Sequence, residues 1–264
     1  MKREIEGIVF DIDGCVARGK KAIPGVPDTL DELRRRGIRF TFLTNDNQYT
    51  IATWVERLAA MGIPASANEV LTSAVIAASV TRELYAERKI LAFGNTGLIE
   101  ALQNQELTLL GAEQANQAEV VVVGKDPTFD QNKLNLACQA IWNGAEFIAT
   151  NYDPKVPTAN GFAPATGPMV KAIAYATSKE PLVTGKPSHW SGEMAMKILG
   201  VPPERGAVAG DRLPQDIAMG KQAGLFTILV LTGGTSAEEA ATAPLELTPD
   251  LILPDINHLI DWMN

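Results

Sequence analysis

The segment VFDIDG (residues 9–14) ends an apolar run on two aspartates, Asp11 and Asp13, and then a glycine. Alone it reads equally well as a strand running out into solvent with both acids hydrated. Three other places carry polar groups directly behind an apolar run. Thr44 and Asn45 follow IRFTFL (38–43), Gly185, Lys186 and Pro187 follow PLVT (181–184), and Asp211, with Asp216 five residues on, follows GAVAG (206–210). Carboxylates brought together repel one another unless a cation sits among them. Hard oxygen ligands favour Mg²⁺, which takes one or two carboxylates and keeps waters for a substrate phosphate. An ammonium such as Lys186 supplies positive charge for a phosphoryl oxygen. Thr44 and Asn45 supply donors, and Gly14 lets backbone N–H groups approach closely. Together these residues describe a phosphoryl-transfer site, provided the fold brings the four places together. The chain has neither GxxxxGK[ST] nor GxGxxG, which disfavours a Walker-type NTPase or a dinucleotide-binding dehydrogenase.

The positioning must come from the elements around these residues. IEGIVF (5–10) reads as a buried strand. Val26, Leu30 and Leu33 recur at helical spacing and are closed by Gly37. After the strand 38–43, Ile51, Trp54, Val55, Leu58 and Met61 form a helical face stopped by Gly62. The alternation continues with a strand near Val70–Thr72, a helix over 73–86, KILAF (89–93), a helix near 97–104, EVVVV (119–123), a helix over 131–143 and EFIAT (146–150). A Pro/Gly-rich loop leads to a helix near 167–177, PLVT, a helix near 190–199, GAVAG and a helix near 215–223. FTILVL (226–231), LIL (251–253) and a terminal helix end the chain. Such alternation predicts βαβ units and mainly parallel sheets, and strands that are near-continuous apolar runs predict helices on both faces. Ligands of open α/β sheets bind at the carboxyl ends of the strands, where all four polar places fall.

Composition bounds the function. The 264 residues, 46% of them hydrophobic, suffice for one large or two modest domains. Lysines and arginines number 23 against 31 acids, a formal charge of −8, and no basic patch is concentrated anywhere. That argues against a nucleic-acid or anionic-membrane surface. Arg34, Arg35 and Arg36 sit where a helix ends and read as a solvated face complementing its dipole. The two cysteines are far apart, which fits a reducing compartment better than a disulfide framework. The apolar stretch of MKREIEGIVF is too short for a signal h-region, and no run approaches the roughly 18 apolar residues of a membrane span. A soluble cytoplasmic protein is the expectation.

With the elements in place, DIDG (11–14), LTN (43–45), GKP (185–187) and GDRLPQDI (210–217) resemble, in order, the four motifs of the haloacid dehalogenase (HAD) superfamily of phosphatases. The stretch between the second and third motifs, carrying ATNYDP (149–154), resembles the large C2-type α/β cap of the p-nitrophenyl phosphatase branch. That branch includes NagD-like sugar and nucleotide phosphatases, phosphoglycolate phosphatases and pyridoxal phosphatases. The resemblance implies a Rossmann-like parallel-sheet core over residues 1–82 and 183–264 with an inserted α/β cap domain over 83–182. It implies a Mg²⁺-dependent phosphatase hydrolysing small phosphomonoesters through an aspartyl-phosphate. Asp11 is then the nucleophile, and Asp13 protonates the leaving oxygen and later helps activate water. Asp11, the backbone carbonyl of Asp13 and Asp211 hold Mg²⁺, and Asp216 orients that shell. Thr44 and Lys186 bind phosphoryl oxygens, with the amide of Asn45 helping. The second acid, Asp13, separates the chain from a true dehalogenase, whose halide leaving group needs no proton. A phosphotransferase or mutase using the same intermediate and a non-catalytic phosphometabolite-binding protein are the alternatives. The partner expected is a small phosphorylated metabolite, with no nucleic acid and no membrane, and this cap type implies a homodimer.

The departures from the family pattern bear on substrate. LTNDNQYT (43–50) carries Asp46 where relatives often have a second asparagine, so a carboxylate stands where it can repel an anion or bind a polar tail. NYDPKVPTANG (151–161) resembles the substrate-specificity loop, with Asn151, Asp153 and Lys155 as its polar readers. Val156 stands where some pyridoxal phosphatases place a histidine. Cys15, Cys138, His258 and the four tryptophans read as packing residues, and His189 as a cap or surface residue. Two histidines so far apart disfavour a histidine-based zinc site.

Overall fold

The computed structural model describes residues 4–158 and 161–264, and its strands follow the apolar runs. The chain begins with β1 (Gly7–Asp11), β2 (Ala17–Arg18), β3 (Lys21–Ala22), β4 (Arg39–Thr44) and β5 (Val70–Thr72). Next come β6 (Lys89–Phe93), β7 (Thr108–Leu109), β8 (Val120–Val123), β9 (Glu146–Ala149), β10 (Lys155–Thr158), β11 (Gly161–Pro164) and β12 (Leu182–Val183). The last are β13 (Gly206–Gly210), β14 (Phe226–Val230) and β15 (Leu251–Leu253). Two compact units result. The first comprises Met1–Thr44, Ala52–Leu71 and Lys186–Asn264, and the second Asn45–Ile51 and Thr72–Gly185.

The first unit is built on a six-stranded sheet of order β15-β14-β13-β1-β4-β5. β1 pairs in parallel with β13 on one side and β4 on the other, Gly7 facing both Gly206 and Arg39. Every residue of β1 and β13 is buried, as an apolar run in the middle of a parallel sheet requires. Phe40 packs edge to face against both Phe10 and Phe42 beside this centre, and those two rings lie tilted to each other. In this register Asp11 lies opposite Leu43, so the carboxyl ends of β13, β1 and β4 stand side by side at strand spacing, about 4.8 Å apart.

The second unit holds a five-stranded parallel sheet of order β12-β9-β8-β6-β7. Alternation along β8 divides its cores. Val121 and Val123 face a cluster with Phe147 of β9 and with Cys138, Ile141, Val170 and Ile173 from the helices Gln131–Trp142 and Gly167–Thr177. Val120 and Val122 face another with Ala74, Ala77, Ala78, Leu98 and Leu102, from the helices Ser73–Tyr85 and Thr96–Asn104. The helix Ser73–Tyr85 therefore packs with the second unit, whose bounds at Thr72 and Gly185 differ from the expected divisions at 82/83 and 182/183. Segment 45–51 is laced into the same unit. Asn47 is 1% exposed; its amide oxygen accepts from the Lys125 N–H at 2.7 Å, and its nitrogen donates to Thr166 Oγ1 at 3.3 Å. The Gly97 N–H donates to the Gln48 carbonyl at 3.1 Å.

Three elements correct the sequence reading. The stretch expected as a loop before the helix at 167 contains an antiparallel hairpin, β10–β11; Ala159 and Asn160 of that stretch lie outside the described residues. The helix expected over 215–223 is a π-type turn, Leu213–Ile217, running into a short helix, Ala218–Gln222. Trp142, expected to pack, is 56% exposed, because it ends its helix on the face turned away from the core.

Candidate active site

Three of the expected site residues of the first unit sit at carboxyl ends of its sheet, whereas Lys186 follows β12, a strand of the other sheet, contrary to the expectation that one sheet gathers all four places. Asp11 is the last residue of β1, Thr44 the last of β4, and Asp211 follows β13 directly. Asp216 comes back to them on the π-type turn, a device recurrent at functional sites. Lys186 ties the carboxylates together. Its Nζ donates to Asp11 Oδ1, to Asp216 Oδ1 at 2.6 Å and to the Leu43 carbonyl at 3.2 Å, and it is 4% exposed. The other oxygen of Asp216 accepts from the Arg212 N–H at 3.1 Å, which fixes the turn that carries Asp211. One oxygen from each of Asp11, Asp211 and Asp216 lies within 4.8 Å of the others.

The electrostatics are lopsided. Burial acts to lower Lys186, but the Asp11 and Asp216 carboxylates outweigh it and hold the ammonium charged well above the ordinary lysine range. Burial pushes the Asp11 carboxyl well up; Lys186 opposes this, while Asp216 and Asp211 add to it. Asp211 is pushed up to about 6, by burial first and by Asp216 next. Three buried carboxylates against one contacting ammonium leave negative charge uncompensated. Asp211 Oδ2 accepts from the Gly234 N–H, while its Oδ1 is buried and without a hydrogen-bond partner among the described residues. An orphaned carboxylate oxygen in an all-oxygen set carrying excess negative charge is a fit for Mg²⁺.

Asp13, two residues beyond Asp11, is exposed. Just after it the chain turns at Gly14, whose φ of 98° lies in the left-handed region and whose N–H donates to the Ala17 carbonyl at 2.7 Å. Cys15 is buried and donates to the Ala209 carbonyl at 3.4 Å, and burial raises its thiol, so it is not an activated nucleophile.

Sequence reasoning missed one element. The loop after β14 closes over the Asp11–Gly14 turn: Thr232 Oγ1 donates to the Gly14 carbonyl at 2.5 Å, and Arg18 Nε to the Thr232 carbonyl at 2.8 Å. Gly233 runs so close to Asp211 that a Cβ there would lie 2.5 Å from its carboxyl carbon. The signal was present, since Thr232-Gly233-Gly234 follows the strand FTILVL as the other motifs follow theirs.

The polar residues expected to read substrate lie in the second unit. Asn45 Nδ2 donates to Asp153 Oδ2 at 3.2 Å, and Asn151 is 2% exposed with its Nδ2 donating to the Asn45 carbonyl at 2.8 Å. Asp46 Oδ1 accepts from the backbone and side-chain amides of Gln48, both at 3.0 Å. Lys155 is exposed, and its Nζ stands 4.2 Å from the centre of the Phe162 ring.

Comparison with known proteins agrees with this geometry. Residues 8–108 match the haloacid dehalogenase-like hydrolase model and residues 183–259 a HAD-hydrolase-like model. The chain is 34% identical to the sugar-phosphatase AraL of Bacillus subtilis (strain 168), over 95% of this chain and 90% of that protein. Among solved structures it is similar to a 4-nitrophenylphosphatase from Thermotoga maritima, with a TM-score of 0.90, 31% identity and 97% of both chains covered. A glycerol phosphate phosphatase from Mycobacterium tuberculosis, solved in complex with magnesium, superposes with a TM-score of 0.91 at 30% identity, over 97% of this chain and 77% of that one. Fold and site thus define a phosphoric monoester hydrolase with a carboxylate-lined site at the ends of parallel strands. The chain belongs to the haloacid dehalogenase-like hydrolases, in their p-nitrophenyl phosphatase branch.

Proposed function

We propose that the protein is a Mg²⁺-dependent phosphatase of small phosphomonoesters that works through an aspartyl-phosphate on Asp11. The buried Asp11–Lys186–Asp216 cluster, with Asp211 beside it and exposed Asp13 two residues from Asp11, carries the reading. Asp11, the Asp13 carbonyl and Asp211 would hold the metal, with Asp216 orienting that set; bound there, it neutralises charge on the phosphoryl group and the carboxylates. Lys186 fixes Asp11 through Oδ1 and adds a positive charge toward the phosphoryl oxygens, as Thr44 and the Asn45 amide add donors. An Asp11 oxygen bonds to phosphorus as the ester P–O bond breaks. Asp13, protonated, gives its proton to the departing alkoxide. Water then attacks phosphorus, Asp13 takes its proton, and the Asp11–phosphorus bond breaks to release inorganic phosphate. The assembled site recognises only what all phosphomonoesters share, so we place discrimination in a cap spanning 83–182 together with Asp46, and take Asp153 and Lys155 as its readers. The two free buried cysteines suit a cytoplasmic protein.

The test is release of p-nitrophenolate from p-nitrophenyl phosphate with Mg²⁺ and with EDTA, followed by a screen of sugar phosphates, nucleotides, glycerol phosphate and phosphoglycolate. Turnover that EDTA abolishes and Mg²⁺ restores is expected. Turnover indifferent to both overturns the metal assignment, and no turnover on any ester overturns the reading.

A further inference from the structure

Asn151 has the sequence position of a substrate reader, but its side chain is committed elsewhere. Its Oδ1 accepts from the Asp153 N–H at 3.1 Å, which sets the orientation of the amide. Its Nδ2 donates to the Asn45 carbonyl at 2.8 Å and reaches Ser73 Oγ at 3.5 Å. Ser73, wholly buried at the start of its helix, donates its own hydroxyl to the same Asn45 carbonyl at 2.8 Å. Asn47 Nδ2 reaches the same carbonyl at 3.3 Å, so that carbonyl holds two short side-chain donors, from Asn151 and Ser73, and a longer third, all from buried residues.

The neighbouring residue of the same strand end acts on a second place. The Thr150 carbonyl accepts from the Gly185 N–H at 2.8 Å, and a Cβ at Gly185 would meet that carbonyl and the Asn45 amide oxygen. Asn45 is one peptide bond beyond Thr44, and Gly185 one before Lys186. The Thr150–Asn151 pair therefore anchors the backbone next to both expected phosphate-binding groups.

We propose that Asn151 and Ser73 are positioning residues for the phosphate-binding turn at Thr44–Asn45, and not contacts to the organic part of the substrate. The inference rests on the phosphatase reading for its kinetic consequence, but not for its binding consequence. Fixing the Asn45 carbonyl fixes the Asn45–Asp46 peptide plane, and through the shared Cα it restricts the Thr44–Asn45 peptide and the direction of the donors offered to phosphate. Loosening them by about 1 Å is enough for a loss on the order of 10² in rate.

The experiment compares Asn151→Ala, Asn151→Asp, Ser73→Ala and the conservative Ser73→Thr with the parent protein. It reads kcat/KM on p-nitrophenyl phosphate, glycerol phosphate, a hexose phosphate and a nucleoside monophosphate. It also reads the affinity for inorganic phosphate by calorimetry with Mg²⁺, and the melting temperature. The first three variants are expected to lose about tenfold to a hundredfold in kcat/KM by the same factor on every ester, with phosphate affinity weakened in parallel and Ser73→Thr largely restored. Losses that reorder preference among esters while sparing phosphate affinity make Asn151 a substrate reader and overturn the proposal. Lowered melting temperature with kcat/KM and phosphate affinity intact makes the pair merely structural and overturns it too. Should the parent hydrolyse none of the esters, the phosphatase reading fails, and the phosphate affinities still decide the positioning role. If the Asn151 variants do not fold, Ser73→Ala against Ser73→Thr decides between the same outcomes.

Discussion

Adding one methyl group at Gly233 offers a sharp test of how Asp211 is held. A Cβ built there lies 2.5 Å from the Asp211 carboxyl carbon and 2.6 Å from its Cβ, and nearer still to Oδ2. Carbon atoms rest at about 3.5–4.0 Å, so Asp211 or the loop must retreat by about 1 Å. The Asp211 carboxyl is buried and bonded to the Gly234 N–H, so a retreat breaks that bond or moves the loop with it. Overpacking of this kind costs about 1–3 kcal/mol of stability. A displacement of about 1 Å in a group placing the reaction costs on the order of 10² in rate, or about 2.7 kcal/mol of barrier. Gly234→Ala is the internal comparison. Its Cβ would meet the Arg212 side chain and Asp211 Oδ2 at 3.3 Å, tight contacts with a flexible partner among them. The assay is kcat/KM on p-nitrophenyl phosphate across a Mg²⁺ titration, beside urea unfolding. Gly233→Ala is expected to need more Mg²⁺ and to lose roughly a hundredfold, and Gly234→Ala less than tenfold. Equal activity in both variants, with an unchanged Mg²⁺ requirement, refutes the argument that loop 232–234 sets the position of Asp211.

Asp11→Asn is expected to lower turnover by at least about 10³, or roughly 4 kcal/mol in barrier, and a tenth of parental activity in steady-state assays would exclude Asp11 as nucleophile. Asp13→Asn is expected to slow alkyl phosphates more than p-nitrophenyl phosphate, whose leaving group needs little proton donation; equal losses on both count against Asp13 as the acid. At Asp250, burial pushes the carboxyl up, but hydrogen bonds from Thr227 at 2.6 and 2.8 Å and the Lys221 ammonium at 2.9 Å outweigh it and leave it below the ordinary range. Its contribution is therefore complete above about pH 4 and fades as pH falls through the lowered value. Urea titrations from pH 7 to pH 2 should show Asp250→Asn less stable by about 1 kcal/mol or less at neutral pH, given the exposure of the pair, and converging with the parent in acid; a pH-independent gap contradicts this. Thr150 Oγ1 is buried with no hydrogen-bond partner among the described residues, so Thr150→Val is expected to leave stability unchanged or raise it by about 1 kcal/mol, and a loss larger than that in urea unfolding speaks for a partner that the fold conceals.

Much of the cluster of polar residues at the strand ends was legible because its information is local. Asp11, Thr44 and Asp211 each stand at or just beyond the end of an apolar run, and a parallel sheet gathers such ends whatever its strand order; Lys186 follows β12 of the other sheet, so its arrival at Asp11 was not legible in this way. Helix limits were legible for the same reason, since Gly37 and Gly62 stop their helices at positive φ. The hairpin β10–β11 was not, because Pro157 and Pro164 inside it read as loop punctuation, although an isolated two-stranded ribbon tolerates proline. Nor was the burial of Asn151. An asparagine behind a strand has the same sequence signature whether its amide faces a ligand or another carbonyl, and the choice depends on Ser73 and Asn45, far away in the chain.

The composition of the second unit bears on recombination. A segment exchanged between relatives keeps its stability only if the apolar faces it carries arrive with their partners. Splicing at residue 83 would divide the helix Ser73–Tyr85 and leave Ala74, Ala77 and Ala78 to meet a foreign sheet in place of Ile90, Val120 and Ile148. It would also strand Asn47, whose amide completes the turn at Lys125 and the bond to Thr166. The transplantable module is thus a discontinuous one, 72–185 with 45–51, and a chimera made from it carries Asn45 away from the donor while leaving Thr44 with the recipient. Swapping this unit therefore places a graft junction at the Thr44–Asn45 peptide bond, inside the LTN stretch, so the bond where the chain is joined lies between two of the residues expected to meet phosphate.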